Sequence, residues 1–221
     1  AQVGGRVNFR LAYLSKDGMP KGVDYNADFT ARVDGVFVEG DNVWADVVIS
    51  ESDVNAGDTL TLTAVLEVTV SAIKRDEIEA LTNAVDCFVT KKEIYMPTFI
   101  AQKSVVVPFD DEKNVGGEIE SVLGLSTTVV PLKSIATDGG ANAKLAVYAF
   151  VTYVEGGEIK QHSFEIPLEE EFNLDGVQEG DAIKLYAQTK SSKIVLQGVT
   201  DDNTIRVEGE VQIKVQAFRC S

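Results

Sequence analysis

Apolar and polar residues alternate along most of this 221-residue chain. Near the C-terminus, Ile205, Val207, Val211, Ile213 and Val215 are separated by Arg206, Glu208, Glu210, Gln212 and Lys214. A period of two is that of a half-buried antiparallel strand, with one packed face and one wet face. The run is far longer than the usual strand of about five or six residues, and the small residue Gly209 within it predicts a bend or bulge there. Val7, Phe9, Leu11 and Tyr13 alternate in the same way, as do Val147, Ala149, Val151 and Tyr153. Hairpin turn chemistry follows each of these runs, as Lys16-Asp17-Gly18 and as Glu155-Gly156-Gly157. Gly116-Gly117 and Gly139-Gly140 read as further turns.

The alternating segments repeat. Asp58 to Ile73 aligns without a gap on Asn203 to Phe218, so that Leu60, Leu62, Leu66, Val68, Val70 and Ala72 meet Ile205, Val207, Val211, Ile213, Val215 and Ala217. Ala64 meets Gly209. Upstream, Arg6 to Gly18 resembles Leu145 to Gly157, with Tyr13 facing Tyr153. Asp34-Gly35 and Glu39-Gly40-Asp41 match Asp175-Gly176 and Glu179-Gly180-Asp181 in the same order. This is a duplicated domain whose apolar skeleton is kept while its polar residues have drifted, and no reactive residue recurs with it. The first copy has no counterpart of Val89 through Asn142. It is therefore expected to leave a sheet edge or apolar groove uncovered, to be filled by upstream residues, by the linker from Thr82 to Tyr95, or by a strand from a neighbouring molecule.

Helix signals are few. Ile119, Val122 and Leu123 share a helical face within Gly117 to Leu123, which predicts one short helix, and Lys74 to Leu81 reads equally as a second helix or as a continuation of the preceding strand. The border between copies is placed in the polar stretch around Thr82 to Lys92. The resulting expectation is an all-β protein of two related antiparallel β-sandwich or partly closed barrel domains, residues 1–82 truncated and residues 83–221 complete, with one short helix in the second.

Composition narrows the function. With 44% apolar residues the chain has enough for two modest cores. Twenty Lys and Arg against 35 Asp and Glu give a net charge of -15, a field that repels nucleic acid and anionic lipid surfaces. No apolar run reaches the ~20 residues of a membrane helix, and AQVGGRVNF lacks the features of a signal peptide, so no membrane insertion is expected. The start at Ala1 points to a processed product or an excised piece of a longer chain.

Catalytic inventories stay empty. The one histidine, His162, sits in a stretch read as a strand start after a hairpin, and no second base is at hand for a triad. Cys87 and Cys220 have no counterpart in the other copy and read either as free thiols in a reducing compartment or as a bridge through Cys220. Asp110-Asp111-Glu112-Lys113-Asn114 spaces oxygens like a calcium loop, but Val115 stands where the loop needs Gly and Ser121 where it needs a bidentate Glu. Glu169-Glu170-Glu171 and Asp201-Asp202-Asn203 read as solvated strand ends and turns. No glycine motif forms a phosphate cradle. The expectation is a protein with no catalytic residue, cofactor or metal. Its working residues are interface candidates instead: Arg6, Phe9, Leu11 and Tyr13 on the first strand, Cys220 at the end, and Trp44. Trp44 reads as core filler or as a surface aromatic, and with Tyr25 and Tyr186 it would make a sugar-stacking platform if all three were exposed.

The order of features from Val89 to Phe218 resembles the SPOCS domain of clostridial spore proteins. The features are a charged strand VTKKEIYM (Val89 to Met96), VVVPFDD (Val105 to Asp111), GEIESVLGLSTTVV (Gly117 to Val130), KLAVYAFVTYVEGGE (Lys144 to Glu158), SFEIPLEEEFNLDG (Ser163 to Gly176) and a closing VEGEVQIKV (Val207 to Val215). Arg6 to Ile73 resembles a partial copy, and such domains occur in tandem. No LysM module, the part that recruits the coat-assembly ATPase in the family's best-known member, is recognisable. The resemblance implies structural or scaffolding work in the endospore coat or envelope, assembled from the mother-cell cytoplasm, with other coat proteins or further copies of the chain as partners. Two other readings stay open: a self-polymerising subunit of a spore-surface or extracellular filament, and a carbohydrate- or peptidoglycan-binding module.

Overall fold

In a computed structural model, the structure describes residues 1–38, 42–57, 59–74, 90, 96–197 and 203–220. It is all-β among these residues, with ten antiparallel strands in four small sheets, no helix and no closed barrel. In chain order the strands are β1 (Gln2–Leu14), β2 (Pro20–Arg32), β3 (Asn42–Ala56), β4 (Leu60–Ile73), β5 (Pro97–Asn114), β6 (Ile119–Thr137), β7 (Gly140–Glu155), β8 (Glu158–Asn173), β9 (Ala182–Gln197) and β10 (Thr204–Cys220). The chain divides into two compact units: Ala1–Arg10 with Asp24–Lys91, and Leu11–Val23 with Lys92–Ser221. Cys87, the Lys74 to Leu81 helix candidate beyond Lys74, Glu39-Gly40-Asp41, Asp201-Asp202 and most of the Thr82 to Met96 stretch lie outside the described residues.

The second unit is built from two three-stranded sheets, ordered β5-β10-β9 and β6-β7-β8. Alternation along β7, β8 and β10 sends Leu145, Val147, Val151, Phe164, Ile166, Val207, Val211 and Ile213 into one shared core, which Phe109 of β5 and Leu174 and Val177 beyond β8 complete. Each burial of a Val, Leu, Ile or Phe side chain contributes about 1.5–3 kcal/mol, so this core is the main source of the unit's stability. Hydroxyl side chains link β6 to β9: the Thr127 and Ser192 hydroxyls lie 3.3 Å apart, and the Ser134 hydroxyl donates to the Ile183 backbone carbonyl at 3.4 Å. The β7–β8 turn is tight because Gly156 and Gly157 both take positive φ (61° and 77°), the conformation a two-residue hairpin turn needs.

The helix expected over Gly117 to Leu123 is instead a bend at Gly117 followed, from Ile119, by the start of β6. Ser121 pairs with Val154 and Val122 with Tyr153, and the register slips between Ile119 and Ser121 and again between Val122 and Gly124. Two bulges within six residues break the period of two twice, which leaves Ile119, Val122 and Leu123 at spacings that imitate a helical face. Pairing with β7 decides the conformation.

In the first unit β3 pairs only with β4 among the described residues. The register of this hairpin is that of β9 and β10. Val43, Ala45, Val47 and Ile49 face Ala72, Val70, Val68 and Leu66; Ile183, Leu185, Ala187 and Thr189 face Ala217, Val215, Ile213 and Val211. The bulge expected beside Ala64 and Gly209 lies on the neighbouring strand, at the slip between Ile49 and Glu51 in one hairpin and opposite Glu210 and Val211 in the other. At Gly209 an added Cβ would stand 2.2 Å from the Ser191 carbonyl oxygen and 2.6 Å from the Phe109 ring, so the backbone there approaches too closely for a side chain.

Candidate assembly surface

The two faces of the β3–β4 hairpin differ sharply. Directly paired residues of antiparallel strands share a face, so the register puts Leu62, Leu66, Val68 and Val70 with Val43, Ala45, Val47 and Ile49. None of these is charged. Asp46, Glu51, Asp53 and Glu67 all fall on the other face with Trp44. Trp44 is half-buried beside Ser71 on that polar face, and therefore does not fill the apolar side.

The apolar face is the repeat skeleton, and its burial differs between the copies. Ile205, Val207, Val211, Ile213 and Val215 are all 0% exposed, whereas Leu60 is 42% exposed and Leu62, Leu66, Val68 and Val70 are only half-buried. On the adjacent strand Val47 is 39% and Ile49 52% exposed. The difference follows from neighbours: β10 lies between β5 and β9, while β4 has β3 alone among the described residues.

The other interface candidates lie on β1 and at the end of β10. Arg6 is exposed and donates to Asp28 of β2 at 2.7 Å; that hydrogen bond raises the guanidinium pKa and lowers that of the carboxyl. Arg10 forms the same kind of pair with Asp24, whose pKa its hydrogen bonds lower. These pairs join β1 to β2 on an exposed face, where ion pairs are individually weak. Phe9 and Leu11 are half-buried. Tyr13 is half-exposed and lines a shallow pocket with Met19, Pro20, Glu120 and Val122, where Gly22 approaches the Val122 carbonyl so closely that a Cβ would stand 2.1 Å from it. Cys220 pairs with Pro97 of β5 at the end of the ladder. Tyr25 lies exposed on β2 and Tyr186 on β9.

His162 lies on β8 opposite Val151 and sets its ring edge-on to Phe164, 5.7 Å away. Lys113 stands over the same Phe164 ring and donates to the Ser163 carbonyl at 2.8 Å. Asp110 is the acceptor of an Arg206 hydrogen bond of 2.8 Å on the β5–β10 ladder, and Glu169 accepts from Lys144 at 2.6 Å, so in these two acidic clusters one strand residue each has a cross-strand partner. Among the described residues no group of three or more His, Cys, Asp and Glu side chains is arranged to hold a metal.

Sequence reasoning missed Arg219. Its guanidinium grips both carboxylate oxygens of Asp181 at 2.8 and 2.7 Å and also donates to the Gly176 carbonyl, tying the end of β10 to the loop before β9. The hydrogen bonds from Arg219, then the one from the Gln178 backbone, hold the Asp181 carboxyl below its usual range. A signal was present in the repeat, since Asp41 and Lys74 stand at the positions of Asp181 and Arg219 and keep the signs of charge.

No protein-family model matches the chain, and neither the curated proteins nor the solved structures yield a match.

Proposed function

We propose that this chain is a non-enzymatic structural protein of the bacterial endospore coat or envelope, made of two related antiparallel β units and acting through protein–protein assembly. One observation carries the assembly reading: an apolar skeleton fully buried in one copy is half-exposed in the other, on a sheet face without charge. Contiguous exposed apolar surface of this kind marks interaction sites in stable proteins. The spore location rests on the SPOCS resemblance of Val89 to Phe218. Partners are other envelope proteins or further copies of the chain, and the net charge of -15 disfavours nucleic acid. A fluorescent fusion expressed in a sporulating clostridial cell should collect as a shell around the forespore. Diffuse fluorescence throughout the mother cell, at normal protein levels, would count against the location.

A further inference from the structure

We propose that the edge of β4 that no described strand covers captures a single extended strand donated by a different protein, laid antiparallel in the register that β5 takes on β10. The inference deepens the assembly reading and rests on it. Its template lies within the chain. Because β3–β4 and β9–β10 share register and bulge, β4 occupies the position of β10, and β10 carries β5 on the edge that β4 leaves without a partner among the described residues. On β10 the apolar residues Val105, Val107 and Phe109 lie opposite Ile213, Val211 and Gly209. A strand with the same alternation would cover the half-exposed Val68 and Leu66, and its backbone would satisfy the row of amides and carbonyls that no described strand pairs.

Strand balance excludes a simple exchange between copies. Each chain carries one β5 and two strands of the β10 type, so a copy that donated β5 would uncover its own core.

Two residues set the chemistry of the donor. Gly209 makes room for the Phe109 ring, whereas Ala64 holds that place in the first copy, so the incoming strand needs a small residue there. Glu67 takes the place of Gln212, whose partner on β5 is Val106. A basic residue at that point would face Glu67 directly, and opposite charges across a strand pair are favourable. The donor is therefore an alternating apolar strand with a small residue opposite Ala64 and a Lys or Arg opposite Glu67.

The test uses the full chain and labelled 18-residue peptides with the sequence of β5 (residues 97–114). The peptide bearing V106K and F109A should bind and slow hydrogen exchange over Leu60–Ile73. The unmodified peptide should bind at least about tenfold more weakly, since overpacking one ring costs about that factor. Glu67→Lys, on the polar face and harmless to packing, should remove the preference for V106K and create one for V106E. Absence of binding by the V106K/F109A peptide overturns the proposal. So does protection of β10 instead of β4, which would mean strand exchange in the second unit, and so does self-association of the chain that the peptide does not compete, which would make a second copy the occupant. Forespore localisation without strand capture would leave the assembly reading standing and remove this inference alone.

Discussion

Ile213 and Val68 stand at matching places in two hairpins of one register, yet Ile213 is fully buried and Val68 half-buried. Alternation along the chain was enough to assign both side chains to the apolar face. Their burial was not legible, because it depends on strands that lie elsewhere in sequence. Ile213→Ala should therefore lower stability by about 2–5 kcal/mol, the usual cost of truncating a large core residue, while Val68→Ala should cost under about 1 kcal/mol. Urea unfolding of the two variants reads the difference, and equal losses would mean that the two faces are covered alike. Gly209→Ala tests the close approach at the bulge. Its Cβ would press on both the Ser191 carbonyl and the Phe109 ring, so a loss of at least about 1–3 kcal/mol is expected, although the first copy carries Ala in that position.

Strands were legible as elements wherever the period of two held: β1, β4, β7 and β10 follow the runs read from sequence. The start of β6 was not legible, because its two bulges reset the phase and no local signal reveals which neighbour will impose the pairing. The Arg219–Asp181 clamp was equally hidden, since it joins a strand end to a loop 38 residues away. Its pH dependence follows from the direction of the Asp181 shift. A carboxyl whose folded pKa is depressed stabilises the fold fully above its unfolded pKa, and that contribution is lost as pH falls through the lower, folded value. Asp181→Asn should thus lower thermal stability at pH 7 and flatten the fall in stability on acidification below the ordinary carboxylate range of about 4. Melting curves of both proteins across the acid range check this, and parallel curves would show that the clamp contributes nothing to the acid response.

For the whole molecule the unequal burial of the two copies has a thermodynamic consequence. The buried apolar side chains belong to the second unit, except for Val7 of the first, which is 9% exposed, among the described residues. Stability tracks apolar area removed from water at about 25 cal/mol per Å², so two units with such different cores should not melt together. Calorimetry on the dilute chain is expected to resolve two transitions, the first unit opening at the lower temperature. Native-state hydrogen exchange should assign them. Amides of β10, held between β5 and β9, should exchange only through opening of the second unit, while those of β4 should exchange by easier, local opening. The strand Arg6 to Leu14 should follow β4 rather than β10 at its Arg6 to Arg10 end, which belongs to the first unit. On assembly, protection should rise in β4 and stay constant in β10, since of these two only β4 has an unpaired edge among the described residues. A single transition, with equal and strong protection of β4 and β10 in the dilute monomer, would show the first copy to be self-sufficient and would remove the physical basis for completion by a partner.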